Sequence, residues 1–310
     1  MSPTFLLSFD CEGKWGFADG LSSRHQSLLS HAALTDAYRR LLALLARHRI
    51  RASFAFVGAL TLSPEQADAH PQWFSDDTPV RRAWLARFHE DRRRGISDGW
   101  LLPGLLALVR EQPQHEIASH GFSHLPLAES LVDRHTARRE LETAQAAAAL
   151  HGLRLQTLVY PRNLCGYASE LDDCGFLGYR QGRARPAGTT ARLGHLLTEC
   201  WPRLRAEAHA APAHPLAIPA GAFLNWRHGM RRHVPPALTL GRWRHALDDA
   251  LARGGVVHLY SHPHNFLDGD GQWTLLEQVL AAVAIRLRAG ELANPTLADY
   301  CRQRLAGERR

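Results

Sequence analysis

The 310-residue sequence predicts an α/β fold, a parallel sheet that is open or closed into a barrel with helices packed around it. Two observations carry this expectation. Short apolar runs alternate with amphipathic helical patterns along the chain, the rhythm of βαβ units. In addition, Asp10, His120, Pro161 and His262 each open a polar cluster just past a predicted strand, where parallel α/β folds place their chemistry. The composition, 45% hydrophobic and 22% charged, is that of an ordinary globular protein.

Residues 5–9 read as a buried strand. Residues 31–49 place Leu34, Leu41, Leu42 and Leu45 along one side of a helix. A second strand is expected over 53–58, a helix over 104–110, a short strand over 116–119 and an alanine-rich helix over 136–151. A strand over 155–160 and a helix around 168–174 follow. The last part reads as a helix over 242–253, a strand over 256–261, a helix over 273–288 and a helical tail near 297–304. Two irregular stretches interrupt the rhythm. Residues 61–103 carry Trp73, Trp84 and Trp100 with Arg92-Arg93-Arg94 between them. They read either as a lid or binding wall or as a helical excursion with buried tryptophans. Residues 202–240 are rich in Pro, His and Arg, and Phe223, Trp226 and Met230 are expected to anchor them to the body. There is no internal repeat and no low-complexity linker.

The net charge is +7, yet Lys14 is the only lysine, so the basic excess is an arginine bias. It reads as a solvated surface, compatible with anionic lipid headgroups or phosphate-bearing substrates and with peripheral membrane contact. Nucleic acid is not an expected partner, because no recognition motif occurs and the arginines are spread out. The five cysteines, Cys11, Cys165, Cys174, Cys200 and Cys301, are scattered without CxxC spacing and are expected to be free thiols in a reducing cytosol. No run of about 18 uncharged apolar residues marks a transmembrane helix. Met1-Ser2-Pro3 leads straight into an apolar run with no basic region before it, so a cytoplasmic location without a signal peptide is expected.

The chemistry concentrates in two short segments. Asp10-Cys11-Glu12 and His120-Gly121-Phe122-Ser123-His124 together offer two carboxylates and two imidazoles. Three protein ligands with one position open for water is the usual hydrolytic metal pattern, and one carboxylate is left over as a base. In an extended segment Asp10 and Glu12 point to the same side while Cys11 points away. A helical turn after the strand would put His120 and His124 on one face.

The runs Ser8-Phe9-Asp10-Cys11-Glu12-Gly13 and Ser119-His120-Gly121-Phe122-Ser123-His124, with His262 after a late strand, resemble the polysaccharide deacetylases of carbohydrate esterase family 4. Residues 52–58 are similar to the family's second strand, and the motifs fall in family order from residue 5 to residue 266. The resemblance implies a distorted (β/α) barrel of about seven parallel strands, one domain over 1–310 with 61–103 as a long insertion. It also implies a divalent metal and hydrolysis of an N-acetyl group from an amino sugar. By position Asp10 would be the general base, Glu12, His120 and His124 the metal ligands, and His262 the general acid, with His264 the competing candidate. Zinc is the default for this donor set, which also accepts Co2+, Ni2+ or Mn2+.

Two departures stand out. Adjacent aspartates are usual in the family, and the Asp-Cys-Glu arrangement is similar to a branch with intracellular members and some cyclic-amide hydrolases. The family's arginine three residues before the motif proline is Leu158 here. Arg162 follows Pro161 instead, and is expected either to pair with Asp10 or to bond backbone at the strand end. Trp15, Tyr160, Asn163 and His264 are expected to meet substrate, with Trp15 either stacking on a sugar ring or packing internally. The implied function is a metal-dependent deacetylase in glycan or glycolipid assembly, with a lipid-linked precursor at the inner membrane face as one expected substrate. The competing readings are a cyclic imide or ureide amidohydrolase, and a metal- or carbohydrate-binding pseudoenzyme that would lack the acid or the base.

Overall fold

A computed structural model describes residues 2–182, 204–224 and 226–306, apart from the Met230 side chain. Its strands are β1 (Thr4–Cys11), β2 (Ser53–Phe56), β3 (Glu116–Ser119), β4 (Thr157–Val159), β5 (Gly178–Arg180), β6 (Leu216–Ile218), β7 (Ala222–Phe223) and β8 (Val256–Ser261). They form one sheet in the order β6-β5-β4-β3-β2-β1-β8-β7, and every pair is parallel.

The sequence pattern predicts about seven strands, and the structure has eight among the described residues. The difference lies at the seam. β6 and β7 occupy opposite edges of the sheet, yet only Pro219, Ala220 and Gly221 separate them. Four Cα steps span at most about 14 Å. The sheet is therefore rolled until its edges nearly meet, and β6 and β7 act as two halves of one stave. Gly221 (φ +73°) makes the joint possible, because a Cβ there would lie 2.5 Å from the His258 carbonyl oxygen.

Side-chain alternation sorts β1 into two roles. Phe5, Leu7 and Phe9 point outward into the main core under the helices. Leu6 points inward and joins Ala55, Ala118, Val159, Leu216, Ile218 and Val256. Leu297, Tyr300 and Cys301 pack into the same cluster. They belong to the C-terminal helix, which thus plugs the floor of the barrel. Above Leu6 the inward positions of β1 become polar, first Ser8 and then Asp10 at the mouth.

The helices are α1 (Ser23–Leu28), α2 (His31–His48), α3 (Pro64–Ala69), α4 (Pro79–Arg93), α5 (Pro103–Arg110), α6 (Arg134–Ala149), α7 (Ala168–Asp173), α8 (Pro236–Arg253), α9 (Asp270–Arg288) and α10 (Leu297–Ala306). Their ends follow local chemistry. The Ser30 hydroxyl accepts from the Ala33 amide to start α2, and Arg49 in the left-handed region ends it. Asp133 caps α6 through the Thr136 amide.

The 61–103 stretch is a helical excursion. Trp84 and Trp100 are buried, and Trp73 is partly buried against the core. Arg81 on α4 and Glu140 on α6 form a buried ion pair at 2.5 Å, and Glu140 also accepts from the Ser123 amide at 2.8 Å. The Trp84 indole donates to the Ser123 carbonyl at 2.8 Å. The insertion therefore grips the loop that carries His124.

In the 202–240 stretch, described from Leu204 on, lie β6, β7, a 3-10 turn (Gly229–His233) and the start of α8. Phe223 packs on Tyr260 and His262, and Trp226 stacks on His228, while the Met230 side chain lies outside the described set. Cys11, Cys165, Cys174 and Cys301 are free thiols, and Cys200 lies outside the described residues. Among the described residues no helix is long and apolar enough to cross a membrane.

Candidate active site

Strand ends supply the site. Asp10 is near the end of β1 and Glu12 just past it, His120 follows β3, and His262 follows β8. Glu12, His120 and His124 bring their ligand atoms within 4.8 Å of one another. The residues at 120–124 are not helical. Gly121 (φ +73°) and His124 (φ +63°) turn the chain through left-handed conformations, which sets the two rings 4.8 Å apart. The expected helical turn is thus replaced by a loop that reaches the same i, i+4 juxtaposition.

The donor set fits a divalent cation. His120 Nδ1 donates to the Val159 carbonyl at 2.7 Å, so its Nε2 presents a lone pair. That lone pair faces Glu12 Oε1 at 3.2 Å, and His124 Nε2 lies 3.1 Å from the same oxygen. Both ring nitrogens of His124 are buried without a hydrogen bond. Burial also pushes the His124 imidazolium down, keeping the ring neutral, as a ligand must be. For Glu12, burial works upward, but His262 and His124 outweigh it and hold the carboxyl well below its ordinary range. Three electron-rich atoms converging in a buried place call for a positive charge between them.

Beside this triad, Arg180 at the end of β5 grips Asp10 with both Nη atoms, at 2.8 and 2.7 Å. The side chains are 0% and 4% exposed. Burial would raise the Asp10 carboxyl, but the Arg180 guanidinium, with His120 and His262 behind it, outweighs that and holds the group below its usual value. On the other side, His262 Nε2 lies 3.8 Å from Asp10 Oδ2 and 3.3 Å from Glu12 Oε1. Burial works to discharge His262, yet these two carboxylates raise its pKa overall. His264, 6% exposed, stacks on His262 at 5.0 Å, and burial followed by the His262 charge brings it down to about 3. A carboxylate with a lowered pKa and an imidazole with a raised one thus flank the candidate metal-binding triad.

The family model for polysaccharide deacetylase matches residues 19–179, just over half of the chain. The chain belongs to the polysaccharide deacetylase family. A comparison with curated proteins returned no match. Among solved structures, one described as a polysaccharide deacetylase from Mycobacterium smegmatis superposes with a TM-score of 0.59 at 16% identity, covering 99% of this chain and 92% of that one. Another described as a polysaccharide deacetylase, from Pseudomonas aeruginosa PAO1, gives 0.55 at 14% identity over 96% and 89%. The Puue allantoinase gives 0.55 at 14% identity over 96% and 88%. At these identities the superpositions establish a shared fold.

Within this family member, several residues that the sequence singles out lie elsewhere than expected. Arg162 does not meet Asp10. Its backbone is left-handed (φ +59°), its Nη2 donates to Asp19 at 2.5 Å, and its guanidinium lies 5.4 Å from the Trp84 ring. Arg180 holds the place assigned to Arg162. Trp15 is 0% exposed, wedged among Phe74, Phe88 and Trp100, with its indole donating to the Trp100 carbonyl. It offers no face to a sugar. Tyr160 is 1% exposed, and its hydroxyl donates to the Gly166 carbonyl, bracing the turn after β4. Asn163 Oδ1 accepts from Arg180 at 2.8 Å, so it steadies the arginine. Cys11 is buried with its thiol on the Phe9 carbonyl, pointing away from the mouth as alternation predicts.

Sequence reasoning misses Arg180 because β5 has only three residues and includes a glycine. The signal present was a lone arginine closing the apolar run Phe176-Leu177-Gly178-Tyr179. Lys14, two residues after Glu12 in the chain, is 3% exposed, and its amide donates to the Gly99 carbonyl at 2.9 Å. Its stem is packed so closely that a Cβ on Gly99 would lie 2.7 Å from Cε. Burial lowers its pKa, against Asp91 and Asp98.

Proposed function

We propose that this protein is a metal-dependent hydrolase that removes an N-acetyl or related N-acyl group from an amino sugar, in glycan, glycolipid or cell-surface polysaccharide assembly. The observation that carries this reading is the flanking of the Glu12–His120–His124 triad by Arg180-bound Asp10 and by His262. Glu12, His120 and His124 would hold a divalent ion, with zinc the default, and its charge would supply polarisation of the amide carbonyl and acidification of a water. Asp10, held ionised and aimed by Arg180, is suited to take the proton of the attacking water. His262, whose pKa the Glu12 and Asp10 carboxylates raise against burial, is suited to protonate the departing nitrogen. The products are a carboxylate and a free amine. His264, which stays neutral, walls the mouth beside His262 and can meet a sugar hydroxyl. We place the protein in the cytoplasm, acting on a precursor glycan, with lipid-linked acceptors at a membrane surface suited to its basic charge.

The spacing of Asp10 and Glu12, with one residue between them, favours a second reading, hydrolysis of a cyclic imide or ureide at the same centre. The test is elemental analysis of wild type, His120→Ala and Asp10→Asn, alongside acetate release from N-acetylglucosamine oligomers and ring opening of hydantoin-type substrates. One divalent ion per chain, absent in His120→Ala, with acetate released only by wild type, supports deacetylation. Turnover of the cyclic substrates alone moves the assignment to the second reading. Full activity in Asp10→Asn removes Asp10 as the base.

A further inference from the structure

Beneath Asp10 and its partner Arg180 the barrel interior holds two further polar side chains, Ser8 and His258, which have no part in the reaction outlined above. The two Nη atoms of Arg180 carry four N–H bonds, and four acceptors surround them. Nη1 donates to Asp10 Oδ1 at 2.8 Å and to Ser8 Oγ at 3.1 Å. Nη2 donates to Asp10 Oδ2 at 2.7 Å and to Asn163 Oδ1 at 2.8 Å. The Tyr260 ring lies 4.1 Å from the guanidinium carbon. Ser8 Oγ also lies 2.9 Å from His258 Nε2, and His258 Nδ1 lies 2.8 Å from the Pro219 carbonyl. Ser8 and His258 are 0% and 2% exposed.

Proton counting gives this chain one direction. A carbonyl only accepts, so His258 Nδ1 carries a hydrogen toward Pro219. In the neutral ring Nε2 then accepts, and the single Ser8 hydroxyl hydrogen goes to it. Ser8 has lone pairs left for Arg180, and Arg180 has its hydrogens left for Asp10 and Asn163. Each link donates toward Pro219, an order in which hydrogen bonds strengthen one another. A hydrogen on Nε2 would instead leave the Ser8 hydroxyl without an acceptor in a dry interior.

We propose that His258 is a positioning residue for Asp10, acting through Ser8 and Arg180. This rests on the reading of Asp10 as the base. Asp10 and Asn163 alone leave one corner of the guanidinium free to swing. Ser8, held by the acceptor at His258 Nε2, fixes that corner, and the Pro219 carbonyl, by accepting from Nδ1, sets the tautomer that leaves Nε2 to accept.

Two variants separate this role from simple packing, because each removes one hydrogen bond of the ring. His258→Gln can keep an acceptor where Nε2 stood but drops the donor to Pro219. His258→Asn keeps a donor toward Pro219 but drops the acceptor for Ser8. With acetate release from N-acetylglucosamine tetramer as the assay, Ser8→Ala and His258→Asn are expected to lower kcat by about 10–100-fold, the scale of a displaced catalytic group. KM and bound metal stay unchanged, and His258→Gln stays within about 3-fold of wild type. Nitrogen-15 spectra give an activity-free readout. His258 should show the Nδ1–H tautomer, and slow Arg180 guanidinium rotation should persist in His258→Gln and be lost in His258→Asn. An Nε2–H tautomer, or equal behaviour of the Gln and Asn variants in both readouts, overturns the proposal. If wild type releases no acetate but the spectra behave as expected, the substrate reading falls and the anchoring of Arg180 stands.

Discussion

Replacing Arg180 with methionine keeps much of the volume of the arginine stem but leaves Asp10 as an uncompensated buried carboxylate. With the side chains 0% and 4% exposed, solvent screens neither charge. Removing one partner of a buried ion pair costs about 3–5 kcal/mol, a large part of the roughly 5–15 kcal/mol that keeps a domain folded. The pH dependence should also change sign. In the wild type the folded Asp10 pKa lies below its unfolded value. Its contribution is therefore present above the unfolded pKa and is lost as pH falls through the folded one. In Arg180→Met burial acts with only His120 and His262 against it, and the folded pKa is expected to rise. The variant then gains relative to wild type as pH falls, by up to about 1.4 kcal/mol per pH unit for one proton. Urea unfolding of metal-stripped protein at pH 8 and pH 5 measures this. The deficit should be larger at pH 8, and the double variant Asp10→Asn/Arg180→Met should recover most of it there. Equal deficits at both pH values, or a double variant no more stable than Arg180→Met, would refute the reasoning.

Further outcomes follow from the same geometry. Gly16→Ala would place a Cβ 2.1 Å from Glu12 Oε2, so it should weaken metal binding by about 10–100-fold while leaving thermal stability of the metal-free protein nearly unchanged. Titration with zinc and a competing chelator checks this. Glu140→Leu leaves buried Arg81 with only the more distant carboxylate of Asp77 at 3.6 Å and frees Ser123, so it should cost about 3 kcal/mol in denaturant unfolding and loosen the His124 loop. His262→Gln should lower kcat by about 10²–10⁴-fold with metal retained, the usual worth of a proton donor. His264→Gln should act mainly on KM, since the ring is neutral throughout the working pH range. Steady-state kinetics on acetylated amino-sugar oligomers distinguishes the two.

What was legible in the sequence was what lies close along the chain. Asp10 and Glu12 share a side because strand alternation is a local rule. His120 and His124 show the spacing of one face, though the chain realises it with two left-handed residues rather than a helical turn. The Asp10–Arg180 pair was not legible, because β1 and β5 meet across the barrel interior, and nothing between residues 10 and 180 records that meeting. β5, β6 and β7 have three, three and two residues, too few for a period of two to register. Trp15 illustrates a different limit. An aromatic beside a catalytic motif looks the same in sequence whether it faces a ligand or, as here, the packed rings of the insertion.

Lys14 has a practical consequence. An amine-directed reagent finds a single ε-amine in this sequence, and that amine's side chain is buried where the turn after Glu12 packs on Gly99 of the insertion. Its modification must wait for the loop to open, so the labelling rate follows the frequency of local opening. Intact-mass measurement at intervals, with and without added cation, would turn one hidden side chain into a clock for how firmly the centre is shut.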